Sequence, residues 1–374
     1  MWVLGQSSFL NSSSFFKNME KYIFILSKDM PDLAKEEIFS LIGTNKDAAM
    51  NNILIIEIKN KEIISKLSKR LAYTKKIYLL LFESSYRDFL KNMKSFDWSN
   101  IYKKDFSLRI SNFNKTKQYS EKELASFVWK KVKKPKVNLR NAKTQIEVFF
   151  LKNKILCCLL LKKLKHTFEE RKSHLRPRPS PISLHPKLAR AMVNLTGAKR
   201  GEVILDPFCG SGGILIEAGL MGMKTIGYDI NKKMVWKSMV NLKHYKIKDC
   251  SLGIKDFFGI NKKFNYIVSD LPYGLNTNIM QNIRVTKYNR KEINNYLEKF
   301  YSDTITKLEK ILIKRAVIIF PSYIDYKKII KNSKLKLKKE FESYVHKNLT
   351  RKIVVLEKAS LFRYPKNSPK SEFL

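Results

Sequence analysis

Three consecutive pieces around residue 210 leave little freedom in the architecture. Val203-Ile-Leu205 is a short apolar strand of the buried kind, Asp206-Pro-Phe-Cys-Gly-Ser-Gly-Gly213 is a glycine-rich loop, and Ile214 to Leu220 has helical spacing. Thr225 to Tyr228 is a second strand, tipped by Asp229, and Tyr266-Ile-Val268 is a later one that runs into Ser269-Asp-Leu-Pro-Tyr-Gly274. Strands and helices in strict alternation build a parallel sheet covered by helices, so the C-terminal half is predicted to be α/β and Rossmann-like. Ala316 to Phe320 and Ile353 to Leu356 are expected to complete its sheet.

In such a sheet the ligand sits at the carboxyl ends of the strands, and the loop chemistry narrows what it is. The glycines of this loop let the backbone approach closely, and free N–H groups at the helix start suit a carboxylate or a phosphate. Alone, a loop of this kind fits several nucleotides. Asp229, 23 residues after Asp206, is placed to accept from two ribose hydroxyls, as in nicotinamide dehydrogenases too. However, Asp206 ends the first strand and would face a pyrophosphate with like charge. A cation with no phosphate is better tolerated, and S-adenosylmethionine, with its sulfonium and α-ammonium, is such a ligand. Asp256, in Ile254-Lys-Asp-Phe257, can accept from an adenine amino group; its plain alternative is an exposed turn, as helix capping is for Asp206. His185 before Pro186 either touches the methionine moiety or caps the next helix. Cys209 has no neighbouring base in sequence and reads as packing.

Upstream the pattern changes. Tyr22 to Leu26, Asn52 to Ile58 and Lys76 to Phe82 read as strands, with helices at Pro31 to Ile42 and Lys61 to Leu71, which suits a small α+β unit. A second unit has a strand at Phe106 to Ile110, a helix from Ser120 with Glu123 completing a capping box, and a hairpin of Gln145 to Phe150 with Ile155 to Leu161. Residues 1–18 are Ser/Asn-rich and lack the basic start and apolar run of a signal peptide, so a disordered extension is expected. The Pro-rich Arg176-Pro-Arg-Pro-Ser-Pro181 reads as a linker.

Charge now becomes informative. Lys+Arg outnumber Asp+Glu by 74 to 33, a formal +41, which usually means a polyanionic partner. Sixty of the 74 are Lys, however, so part of the excess is a compositional bias spread over solvated faces. The distribution separates the two contributions, since residues 85–180 carry a net +17 and residues 201–280 only +3. Five of the 14 arginines, Arg171, Arg176, Arg178, Arg190 and Arg200, fall around the linker, where bidentate phosphate contacts would explain arginine in place of lysine. The candidate RNA-contacting residues are Lys136, Arg140, Arg171, Arg176 and Arg178. Four cysteines form no metal-ligand or disulfide spacing, and no apolar run is long enough to span a membrane, so a cytoplasmic, metal-free protein is expected.

With these pieces assembled, a resemblance emerges. Residues 85–166, with the Lys136 to Lys143 segment, resemble the THUMP domain, an RNA-binding module of tRNA-modifying enzymes. Asp206 to Gly219, Asp229 and Asp270-Leu-Pro-Tyr273 resemble the DPPY-type amino-methyltransferases. Gly212-Gly213, Ser183-Leu-His-Pro-Lys-Leu-Ala-Arg190 and Tyr344 to Arg351 narrow this to the archaeal tRNA guanine-10 N2-methyltransferases. The resemblance implies a ferredoxin-like α+β subdomain at 19–84, a THUMP domain at 85–166, a linker at 167–182 and a methyltransferase domain at 183–374, whose final strand is antiparallel. It also implies a monomer acting on tRNA with S-adenosylmethionine held by His185, Asp206, Phe208, Gly210, Ser211, Gly212, Asp229, Ile230, Asp256, Phe257 and Asp270.

The transfer itself would fall to Asp270, Leu271, Pro272 and Tyr273. A guanine amine is a poor nucleophile because its lone pair is delocalised into the ring. Two acceptors, the Asp270 carboxylate and the residue 271 carbonyl, would draw that pair out while Tyr273 stacks on the flipped base. Position 271 is Leu where the family usually has Pro. The carbonyl survives that change and Pro272 still holds residue 271 extended, so an active enzyme is expected. The polar stretch Leu275 to Arg290 reads as a mobile substrate loop. Alternatives are methylation of another RNA guanine, a DNA adenine N6-methyltransferase, and a non-catalytic RNA-binding protein in which Leu271 marks a decayed site.

Overall fold

The computed structural model describes residues 20–44, 48–50, 52–113, 119–181, 183–273, 290–347 and 349–358. The extension at 1–18 and the stretch 275–289 lie outside them. The first half runs β1 (Glu20–Leu26), α1 (Pro31–Ile42), β2 (Ala48–Met50), β3 (Ile53–Ile58), α2 (Glu62–Arg70), β4 (Thr74–Ser84), α3 (Phe89–Ser95), β5 (Phe106–Asn112), α4 (Glu121–Lys131), β6 (Thr144–Phe150) and β7 (Ile155–Lys163). The chain divides into two compact units that interleave in sequence. One holds residues up to 26, 46–68 and 74–164; the other holds 27–45, 69–73 and 165–374.

The first unit is built on one seven-stranded sheet in the order β2-β3-β1-β4-β7-β6-β5. The two α+β units read from sequence therefore share a sheet, joined where β4 pairs antiparallel with β7. Helix α4 starts where the S-x-x-E pattern placed it: the Ser120 hydroxyl accepts from Glu123 N and the Glu123 side chain reaches back to Ser120 N. The core beneath it packs Phe89, Met93, Trp98, Phe106, Leu124, Val128 and Phe150. Next to β5, the stretch 136–138 forms a parallel bridge through Val137, with Phe106 N donating to Lys136 O and Asn138 N to Phe106 O, both at 2.9 Å. Lys136 and Arg140 are exposed there, beside the exposed apolar side chains of Val137 and Leu139.

The second unit contains α5 (Pro186–Leu195), β8 (Val203–Asp206), α6 (Gly213–Leu220), β9 (Lys224–Asp229), α7 (Lys232–His244), β10 (Cys250–Ile254), β11 (Phe264–Asp270), α8 (Arg290–Ile311), β12 (Leu312–Pro321), α9 (Tyr326–Lys331), β13 (Leu335–His346) and β14 (Leu349–Lys358). Its sheet runs β10-β9-β8-β11-β12-β14-β13. The first five strands in that order pair parallel, whereas β14 runs antiparallel to both β12 and β13. The strand order turns round at β8, which opens a crevice at its carboxyl end. Helix α8 closes over the core with Leu297, Tyr301, Ile305 and Leu308, an apolar stripe at three- to four-residue spacing.

Strand β13 was not foreseen. Its sequence, LKLKKEFESYVH, is dominated by charge because it is the edge strand, and lysines on an edge oppose pairing with another chain.

Candidate active site

The carboxyl ends of β8, β9 and β11 place three of the four predicted acids side by side. Asp206 ends β8 and is 2% exposed, where its Oδ1 accepts from Ser269 Oγ at 2.7 Å and Phe208 N at 3.2 Å. Burial pushes its carboxyl up to about 7, against the pull of those two hydrogen bonds. Asp229 ends β9 and accepts from Gly210 N and Asn231 N, each at 2.9 Å, which ties the tip of the second strand to the glycine-rich loop. Burial raises this carboxyl as well. Asp270 ends β11, and Asp256 caps the short turn at Phe257–Gly259 by accepting from Phe258 N at 3.1 Å.

The loop between Asp206 and α6 is held at both sides. Cys209 N donates to Tyr228 O, Gly212 N donates back to Cys209 O, and Asn241 Nδ2 on α7 donates to Ser211 O. Gly212 has φ +86°, and a Cβ there would fall 2.5 Å from Ser238 Oγ. A side chain at that position is opposed by both backbone and packing. Gly212→Ala is expected to weaken binding of the cofactor by about tenfold, the effect of roughly 1–2 kcal/mol of backbone strain passed to the loop. Isothermal titration checks this, and unchanged affinity contradicts it.

A cavity of about 690 Å³ opens among these groups. Of the predicted residues it is lined by Asp206, Phe208, Gly210, Ser211, Asp229, Ile230, Asp256, Phe257, Asp270, Leu271, Pro272 and Tyr273. Gly212 shapes the loop from behind. His185 is not on the lining: its Nδ1 accepts from Lys187 N at 3.2 Å as the cap of α5, and its Nε2 lies 3.3 Å from Glu169. Cys209 packs with Leu215, Ile216 and Leu242, and burial holds its thiol well above the usual range. With four carboxylates, Lys255 and His346 on its wall, the cavity suits a cationic ligand far better than a pyrophosphate.

The Asp270 to Tyr273 segment is fixed by groups far along the chain. Tyr301 Oη on α8 donates to Pro272 O at 2.7 Å, and Tyr323 Oη donates to Tyr273 O. The Tyr273 hydroxyl donates to Asp270 and accepts from Arg351 Nε at 3.1 Å. Burial lifts Asp270 to about 6, while Arg351 and the Tyr273 hydroxyl pull it back down. The Leu271 side chain is 1% exposed in the core beneath α8. The residue that departs from the expected Pro thus anchors the segment by packing. Tyr301 and Tyr323 were not singled out from sequence, since they lie 28 and 50 residues beyond Tyr273 and nothing local marks them, whereas Arg351, 78 residues beyond, closes the Tyr344 to Arg351 segment but was given no role there.

The linker arginines divide. Arg171 donates through Nε and Nη2 to Glu217 at 2.7 and 3.2 Å, and Arg190 Nε donates to the same carboxylate at 2.8 Å. Arg176 is 3% exposed and its Nε donates to Arg171 O at 3.0 Å. These side chains are held inside the protein, contrary to their assignment to phosphate contacts. Arg178 is exposed, stacked 4.4 Å from the centre of the Trp236 ring.

Comparison with known proteins agrees with the chemistry of this cavity. A family model described as an RMKL-like methyltransferase domain matches residues 173–353, and a DNA methylase model matches residues 2–239, ending ahead of Asp270. The tRNA (guanine(10)-N2)-dimethyltransferase of Methanothermobacter thermautotrophicus is 30% identical over 348 residues, covering 89% of this chain and 98% of that protein. Its counterpart from Pyrococcus abyssi is 33% identical over 350 residues, covering 90% and 99%. The chain belongs to the tRNA (guanine(10)-N2)-dimethyltransferase family. A further member, from Methanocaldococcus jannaschii, is 36% identical over 215 residues, covering 52% of this chain and 60% of that one. The family's methyltransferase half corresponds to the unit that carries the acid-lined cavity. No helix among the described residues is long and apolar enough to cross a membrane, and no group of three metal-ligating side chains occurs among them.

Proposed function

We propose that the protein transfers methyl groups from S-adenosylmethionine to the exocyclic N2 amine of guanosine 10 in tRNA. The observation that carries this reading is the Asp270-Leu-Pro-Tyr273 segment, which opens into the same cavity as Asp206 and Asp229 in a chain aligned with its relatives over nearly their whole length. Bound there, S-adenosylmethionine supplies an electrophilic methyl group. Asp229 would hold the ribose hydroxyls, Asp256 and Phe257 the adenine side, and Asp206 with the loop Gly210 to Gly212 the charged end. Asp270 and the Leu271 carbonyl accept the two N–H groups of the base amine, which withdraws its lone pair from the ring, and Asp270 receives the proton lost on methylation. The Tyr273 ring stacks on the base. Most of the acceleration then comes from positioning.

Residues 85–166 are read as the RNA-binding module, a monomer as the working form and the cytoplasm as its setting. The exposed basic stretch around Lys136 and Arg140 favours contact with the tRNA backbone, and A-form RNA offers phosphates and 2′-hydroxyls more readily than base edges. Lys136→Glu together with Arg140→Glu is expected to weaken tRNA binding by about tenfold and to flatten its salt dependence by about one phosphate contact or more. Filter binding over a salt series checks this; an unchanged slope removes the two residues from the interface. Methyl transfer from labelled cofactor to an unmodified tRNA transcript, set against duplex DNA, tests the reading as a whole. Transfer to tRNA alone supports it, and transfer to DNA adenine would replace it.

A further inference from the structure

Asp270 needs a free acceptor for the incoming amine, yet the hydroxyl of Tyr273 already donates to it. That bond takes Oδ1, which leaves the other carboxylate oxygen for the amine, and the half-buried hydroxyl stays on Oδ1 only if its own oxygen is held in place. Arg351 is the donor that holds the oxygen of that hydroxyl. On β14 it lies opposite Pro321 of β12, at the end of the sheet where β11 delivers Asp270, and its Nε donates to Tyr273 Oη at 3.1 Å. Its guanidinium carbon stands 5.9 Å from the centre of the Tyr273 ring, so the same side chain also borders the aromatic face.

We infer that Arg351 is a positioning residue of the transfer step: it holds the Tyr273 ring and hydroxyl in place while the base amine binds Asp270, and it brings a positive charge to that end of the site. The inference deepens the proposed function and rests on it. Among the described residues, Tyr273, the carboxyl of Asp206 on β8 and the Tyr301 hydroxyl on α8 also bear on Asp270, while Lys255 and His346 line the same cavity. The Arg351 charge opposes protonation of this buried carboxylate, so without it the affinity of Asp270 for a proton rises. A protonated Asp270 accepts poorly from the amine, and activity is lost on the acid side.

The test compares wild type, Arg351→Gln and Arg351→Lys in methyl transfer to unmodified tRNA between pH 5.5 and 8.5, with cofactor and tRNA binding measured separately. For Arg351→Gln, kcat at pH 6.5 is expected to fall by about tenfold and the acid limb to move up by about one pH unit, while both affinities stay within about threefold. Arg351→Lys should restore the acid limb through its charge but only part of kcat, because an ammonium cannot reproduce the guanidinium geometry. An Arg351→Gln enzyme with wild-type kcat and acid limb overturns the inference. So does a loss of kcat equal at every pH and matched by loss of cofactor binding, which would mark a merely structural role. If the wild type transfers no methyl to tRNA, the proposed function fails, and the inference falls with it.

Discussion

Asp270→Asn is expected to lower kcat for methyl transfer by about 10³-fold, within the range for removal of a positioned general base, while cofactor affinity changes little. The amide is nearly isosteric, so the segment should keep its place through Tyr301, Tyr323 and the buried Leu271. What changes is the chemistry of one acceptor. An amide offers an oxygen or an NH2 to the base amine, the NH2 repels its N–H groups, and neither takes the proton. Single-turnover kinetics with equilibrium binding in parallel separate the outcomes. An asparagine variant within about tenfold of wild type would mean that the amine is activated elsewhere.

The second large effect is on stability. Glu217→Gln is expected to destabilise the methyltransferase unit by about 3–5 kcal/mol, the usual cost of removing one partner from a buried ion pair. The Glu217 side chain is 1% exposed and holds two guanidinium groups, Arg171 at 11% and Arg190 at 13% exposure. Both arginines also lie over the Phe168 ring, 5.3 and 5.4 Å from its centre. Substitution by glutamine keeps the volume and removes only the charge, leaving two cations facing each other with little water. Denaturant midpoints measure the loss. A change below about 1 kcal/mol would show that the arginines relax to solvent at small cost.

The arginine cluster also shows how far sequence reasoning reached. Arginine persists there in a lysine-rich chain for the anticipated reason, a planar fork that lysine cannot replace, but for Arg171 and Arg190 the anion is Glu217 of the same chain. Glu217 sits inside an apolar helix, ILIEAGL, where an acid has no reason to be buried without a cation. That was the signal available in the sequence. The acids Asp206, Asp229 and Asp270 were legible because each closes a strand, and strand ends at a switch point converge whatever their spacing. The roles of Tyr301, Tyr323 and Arg351 were not, even though Arg351 closes a segment that marks the family, because they reach the site through the packing of α8, the turn after β12 and the antiparallel β14, which no local pattern encodes. The shared N-terminal sheet was hidden for a similar reason: the β4–β7 pairing joins strands about 80 residues apart.

In the proposed reaction the methylated atom is the 2-amino group of guanosine 10. The most direct measurement gives the enzyme two tRNA transcripts, one with guanosine at position 10 and one with inosine, which differs only in lacking that amine, and identifies the products by nucleoside mass spectrometry. N2-methylated guanosine is expected from the first transcript and no methyl transfer to the second. Equal transfer to both would contradict it.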